Sequence, residues 1–175
     1  HDLSMLTGYC AGWSLKQLIK EGLGGIEVKI TSAPAKHLSV LCNQMVNFLG
    51  IMQNEWAGAQ AFSSFDTYLA PFVKADHLTY PEVKKCSNIT LDWTVPDDLA
   101  ELPAIVGGKE MDFKYKDCKK EMDMVNKAFI ETMIEGDANG RGFQYPIPTY
   151  SITKEFDWSD TENNRLLFEM TSKYG

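Results

Sequence analysis

Residues 9–15 read Tyr9-Cys10-Ala11-Gly12-Trp13-Ser14-Leu15. This stretch decides the fold class, because a strand gives way to a helix within it. Residues 1–10 read as a strand running into Cys10. Leu15, Leu18 and Ile19 then stand at helical spacing over residues 13–21, closed by Gly22. On that reading Cys10 lies at the C-terminal end of a strand, the edge where ligands bind in open α/β sheets. A buried, inert thiol fits the same spacing.

The rest of the chain alternates in the same way. Gly24-Gly25 marks a turn, and Thr31, Ser32 and Pro34 predict a helix start. Leu38, Leu41, Cys42, Met45, Leu49 and Met52 follow on one helical stripe, which reads as core. Residues 58–64 fit either a buried strand or a helix connection, and Phe65 to Val73 is apolar and aromatic. Thr79-Tyr80-Pro81-Glu82 is a capping box with proline in the first turn. The helix it opens meets a strand over 87–95 at Cys86–Ser87, with no turn residue between them, although connections normally take a few residues. Residues 96–112 read as loop. Residues 116–135 form the clearest helix, with Met122, Val125, Phe129 and Met133 facing the core. Asp137-Ala138-Asn139-Gly140 is a turn. Pro146 and Pro148 make 143–153 an irregular or edge strand, and Ser159-x-x-Glu162 caps a last helix. The order predicts an α/β fold with parallel strands.

Composition sets the outer bounds. A chain of 175 residues, 44% hydrophobic and 23% charged, suffices for one domain with a sizeable core. A net charge of −7 without a polybasic cluster argues against a DNA- or RNA-binding surface. A small anionic ligand could still be held by a few lysines or helix N-termini. No apolar run approaches the ~18 residues of a membrane span. Cys10, Cys42, Cys86 and Cys118 include no C-x-x-C pair, and His1, His37 and His77 are scattered. Reduced thiols and no metal site are therefore expected. The sequon Asn88-Ile89-Thr90 reads as chance. Asp97, Asp98, Glu110 and Asp112 read as solvated surface, and Ser63-Ser64 has no neighbouring histidine to activate a hydroxyl. There is no GxGxxG, P-loop or HExxH. The start at His1 and the stop at Gly175 read as cut ends.

Longer local sequences add a family resemblance. His1-Asp2-Leu3, the 9–15 stretch, Pro34-Ala35-Lys36-His37 and the run Gln53-Asn54-Glu55-Trp56-Ala57-Gly58-Ala59-Gln60-Ala61-Phe62-Ser63-Ser64-Phe65-Asp66 resemble anaerobic (class III) ribonucleoside-triphosphate reductases. So do Leu91-Asp92-Trp93-Thr94-Val95-Pro96, Tyr145-Pro146-Ile147-Pro148-Thr149-Tyr150 and Leu167 to Gly175. The resemblance covers almost the whole chain and is to versions from thermophilic anaerobes.

It implies part of a ten-stranded α/β barrel of the glycyl radical enzyme type, spanning residues 1–175. In that family a glycyl radical generates a thiyl radical on a barrel-loop cysteine. The thiyl abstracts the ribose 3′ hydrogen, the 2′ hydroxyl leaves as water, and formate supplies the electrons. By resemblance Cys10 matches the first-strand cysteine beside the substrate ribose. A neutral thiol suits hydrogen-atom or proton donation, and an ordinary thiol, with a pKa near ~8.5, is mostly protonated at neutral pH. His1, Ser63, Ser64 and Asn88 match positions near the substrate. The helical region over residues 13–55 resembles a dimer interface that binds an allosteric deoxynucleotide, with Lys36, Gln44 and Lys74 as candidate contacts. Each candidate is also explicable as an ordinary surface or hydrogen-bonded residue.

The implied partners are a ribonucleoside triphosphate, deoxynucleotide and ATP effectors, a radical-SAM activase and a second copy of the chain, in the cytoplasm. Departures from the family pattern are specific. A strand and an Arg-Trp-Gly loop are missing at Cys86–Ser87, which points to an omitted segment there. The ATP-binding module, the thiyl-radical cysteine, the four-cysteine zinc module and the glycyl radical loop are also missing. The segment alone is therefore expected to be inactive. Two other readings are a dimerisation and effector-binding module without chemistry, and a thiol or zinc protein built on the four cysteines.

Overall fold

The computed structural model describes residues 9–24, 31–83, 91–143 and 149–174. Strand β1 (Ala11–Ser14) pairs in parallel with β2 (Gln60–Ser63), Ala11 opposite Gln60 and Ser14 opposite Ser63. Parallel neighbours need a long crossover, and helices α1 (Leu15–Glu21) and α2 (Leu38–Glu55) supply it. The Ser14 hydroxyl caps α1 by accepting from the Lys16 N–H at 3.3 Å. Gly22 ends α1 at φ +74°, where a Cβ would run into the Ser32 and Ala33 backbone.

Two expectations shift here. Residues 1–8 of the expected first strand lie outside the described residues, and Cys10 itself stands just before a strand, β1, where the sequence predicts the passage into a helix. Helix α2 starts at Leu38, because residues before it are held extended. Ser32 forms an antiparallel bridge with Leu23. The cap comes from far along the chain: Asp76 accepts from the Leu38 N–H at 3.0 Å and meets His37 Nδ1 at 2.9 Å. Leu38, Leu41 and Met45 of the predicted stripe are fully buried, whereas Cys42, Leu49 and Met52 are half-buried.

Residues 60–63 resolve as strand, and α3 (Phe65–Ala75) follows at once, buried from Phe65 through Val73. At Thr79 the Glu82 half of the capping box is present: Glu82 accepts from the Thr79 N–H at 2.8 Å and from its hydroxyl at 2.7 Å, while the Glu82 N–H donates to the Thr79 carbonyl at 3.0 Å and not to the hydroxyl. It opens the short helix α4 (Tyr80–Val83). The predicted strand over 87–95 reduces, among the described residues, to a parallel bridge between Leu91 and Tyr150. It cannot run on, because Trp93 sits at φ +65°.

The segment expected as loop is a hairpin. After α5 (Asp97–Ala100), β3 (Pro103–Val106) and β4 (Lys109–Lys114) pair antiparallel. Gly107 and Gly108 join them at φ +62° and +75°, the backbone of a two-residue type I′ turn. A 3-10 turn at Tyr115–Cys118 leads into α6 (Lys119–Glu135), whose Met122, Val125, Phe129 and Met133 are buried as the periodicity required. The Asp137 turn is also present, its carboxylate accepting from the Asn139 and Arg141 N–H groups. Helix α7 (Glu162–Tyr174) is capped by Thr161, which accepts from the Asn164 N–H at 3.2 Å, in place of the expected Ser159.

One main apolar core joins α1, α2, α3, α6 and α7 to both strand pairs, around Phe62, Phe65, Phe72 and Phe129. The fold is mixed α/β. Its named strands lie in two two-stranded sheets, and no closed barrel exists among the described residues. Among the same residues no helix is long and apolar enough to cross a membrane.

Candidate functional site

The C-terminal end of the parallel pair carries Ser63 and Ser64. Ser63 is exposed opposite Ser14, and its hydroxyl reaches the Trp13 carbonyl at 3.4 Å. Ser64 bends the chain from β2 into α3 in the left-handed region, at φ +51°. A non-glycine residue there is uncommon and needs support from its surroundings.

The support is a buried polar cluster that sequence reading passed over. Asp66, in the first turn of α3, is fully buried. One carboxylate oxygen accepts from the Asp92 N–H at 2.8 Å and the Thr67 N–H at 3.0 Å. The other accepts from the Trp93 N–H at 3.0 Å. Asp66 thereby holds the left-handed turn at Trp93. The Thr67 hydroxyl donates to Asp92 at 2.7 Å. Asn126 of α6 lies beside Asp66 and favours its ionised form, yet neither amide atom makes a hydrogen bond of normal geometry. Burial pushes the Asp66 carboxyl up to about 6, aided by the nearby Asp92 and opposed by the backbone N–H groups. Burial also raises Asp92, against the hydroxyls of Thr67 and Ser64 that favour its charge. Asp92 opens onto a cleft of about 310 Å³ with Thr94, Ser151, Thr153 and Glu155.

Cys10 is exposed at the opposite end of the strand pair. By the register it faces Ala59, four residues before Ser63, a span of roughly 13 Å along a strand. The ligand-edge argument therefore transfers from Cys10 to Ser63 and Ser64. Cys42 and Cys118 are also outside any disulfide, and burial pushes the Cys118 thiol up to about 12. His1, Asn88, Cys86 and the Cys86–Ser87 junction lie outside the described residues.

The remaining candidates are placed on separate elements. Lys36 is exposed just before α2. Gln44 of α2 is buried, its Nε2 donating to the Ser32 hydroxyl and the Ala33 carbonyl at 2.7 Å each, while its oxygen is buried without a hydrogen-bond partner. Lys74 of α3 donates to the Asp117 carbonyl at 2.9 Å and lies over the Phe113 ring. Asp97, Asp98, Glu110 and Asp112 are exposed, as solvated surface should be. Among the described residues no three His, Cys, Asp or Glu side chains gather to hold a metal ion.

Residues 1–175 match the family model described as anaerobic ribonucleoside-triphosphate reductase. Solved structures of the anaerobic ribonucleotide reductase from Thermotoga maritima share the fold. One with citrate in its active site aligns at a TM-score of 0.70 and 19% identity, over 97% of this chain and 35% of that one. One with dATP in its specificity site aligns at 0.69 and 19%, over 96% and 33%. One in complex with dATP and CTP aligns at 0.60 and 19%, over 83% and 28%. The chain thus spans about a third of the length of the structures it matches. No curated protein matches it in sequence.

Proposed function

The chain belongs to the family of anaerobic ribonucleoside-triphosphate reductases, and from that premise we propose that it forms part of the catalytic barrel of an enzyme making deoxyribonucleotides from ribonucleoside triphosphates. The family match over the full 175 residues carries this reading. In the overall reaction formate loses two electrons and leaves as carbon dioxide, while the ribose 2′ hydroxyl leaves as water and a hydrogen takes its place. A glycyl radical carried elsewhere in the protein supplies the initial one-electron oxidation.

The residues of this chain then bind and donate. Cys10, an exposed thiol at the entrance of β1, serves as the hydrogen-atom or proton donor beside the ribose. Ser63 and Ser64 present hydroxyls at the far end of the strand pair, and the distance between the two ends suits an extended nucleotide better than a single reacting atom. His1 and Asn88 complete the substrate contacts. Lys36, Gln44 and Lys74 belong to an effector site for a deoxynucleotide or ATP, a reading supported by the dATP in the specificity site of the Thermotoga protein. Gln44 and Lys74 already serve contacts within the chain, so their part is to shape that site. The zinc that the family resemblance implies is assigned, by that resemblance, to the C-terminal part of the whole protein. A radical-SAM activase, a second copy of the chain and a cytoplasmic setting complete the proposal.

The test is Cys10→Ala in the whole enzyme, with activase, formate and a ribonucleoside triphosphate. Deoxynucleotide formation should stop while the glycyl radical signal persists. Normal turnover in that variant refutes the role of Cys10.

A further inference from the structure

We propose that Gly58 is a positioning residue for the Cys10 thiol, an inference that rests on the reading of Cys10 as a reacting group. β1 begins directly after Cys10, and the Ala11 N–H donates to the Ala59 carbonyl at 3.0 Å. That bond lays residues 9–11 against the loop that leads into β2. At Gly58 the two chains approach more closely than a side chain permits. A Cβ there would lie 2.8 Å from the Cys10 sulfur and nearer still to the Tyr9 carbonyl. The Tyr9 atoms are backbone and cannot swing aside as the end of a flexible side chain would. Gly58 is not among the residues with positive φ, so the requirement is space beside its Cα and not backbone freedom.

The loop itself is braced. Gln60 Nε2 donates to the Gly58 carbonyl at 3.0 Å. Gln60 Oε1 accepts from the Trp13 indole N–H at 2.8 Å. Trp13 in turn packs edge-on against Phe48 and Trp56, with ring centroids 5.3 and 5.5 Å away. The Gln60 amide is therefore a strut between the first strand and the glycine loop. It fixes where the loop lies, and the bare Cα of Gly58 fixes how near the thiol can come to it.

In the whole enzyme, Gly58→Ala is expected to lower kcat by on the order of 10²-fold, the cost of displacing a reacting group by about 1 Å. KM for the ribonucleotide and the glycyl radical signal should hold. Alkylation of Cys10 by iodoacetamide, read by peptide mass spectrometry against Cys42, should shift severalfold. An unchanged Cys10 alkylation rate with unchanged kcat overturns the proposal. If Gly58→Ala does not fold, Gln60→Met removes the strut without adding bulk at the glycine. A smaller shift in the same two readouts is then expected, and none overturns the proposal. Cys10→Ala separates the two claims, since turnover in that variant refutes Cys10 as reacting group while the alkylation rates still decide what Gly58 does.

Discussion

Replacing Asp66 by asparagine tests the buried cluster most directly. The wild-type carboxyl titrates near 6 when folded and at the ordinary 3.8 when its surroundings open. Between those values the closed state holds a proton that the open state has lost. Stability of the closed turn is therefore full below about pH 4, falls as pH rises, and levels off above the folded value. A rise from 3.8 to about 6 corresponds to about 3 kcal/mol. Asparagine keeps one acceptor for the Asp92 and Thr67 N–H groups. It turns a second donor toward the Trp93 N–H, which costs about 1–3 kcal/mol at every pH. The assay is amide hydrogen exchange of residues 91–95 in the intact protein, corrected for the intrinsic pH dependence of exchange. Asp66→Asn should exchange faster than wild type at pH 4, by about 1–3 kcal/mol, and the difference should change by about 3 kcal/mol by pH 7.5, so that it vanishes or reverses there. Burial raises Asp92 in both proteins, so its own titration weakens the closed turn in the same direction in each. Parallel profiles across the whole range would refute the reasoning.

Two further outcomes are expected. Asp76→Ala removes both the acceptor for the Leu38 N–H and the partner of His37, which should weaken the first turn of α2 by about 1–2 kcal/mol, read as faster exchange over residues 38–41. At pH 8, iodoacetamide should label Cys10 readily and Cys118 only after denaturation, because burial raises the Cys118 thiol to about 12; comparable labelling of both in the folded protein would contradict the described burial.

What was legible in the sequence were the features whose cause lies within a few residues. The stripe of α6, the turn at Asp137, the helix start after Thr79 and the stop at Gly22 all depend on neighbours at i to i+4, and each is present. Helix α2 starts later than its sequence predicts because its cap, Asp76, lies 39 residues from His37. Ser32 looked like a helix start but is occupied in a bridge to Leu23 and in the hydrogen bond from Gln44. The hairpin replaces the loop expected over 96–112 although its signal is local, since two adjacent glycines between Pro103–Val106 and Lys109–Lys114 are the chemistry of a type I′ turn. The candidate site was legible as residue types only. Nothing about Cys10, Ser63 and Ser64 in sequence reveals that the register sets them at opposite ends of one strand pair.

Helix α3 explains why these long-range contacts matter for the site. Its first turn carries Asp66, which fixes the turn at Trp93 through the backbone N–H groups of Asp92 and Trp93. Just past its last turn stands Asp76, which caps α2. Between them the helix is buried on every side through Val73, against α6 and β3 among others. An element tied at both ends and enclosed along its length has little freedom to shift. Ser64 is the residue immediately before it, in a backbone conformation that needs such support. The proposed substrate hydroxyls at the end of β2 are thus set by a rigid helix and not by a loop, as a site that must hold a ligand in one geometry requires. The strain at Ser64 and the buried carboxyl of Asp66 are then two parts of one device, in which a side chain costly to ionise ties down, through the backbone N–H groups it accepts from, a turn that the chain would not otherwise adopt.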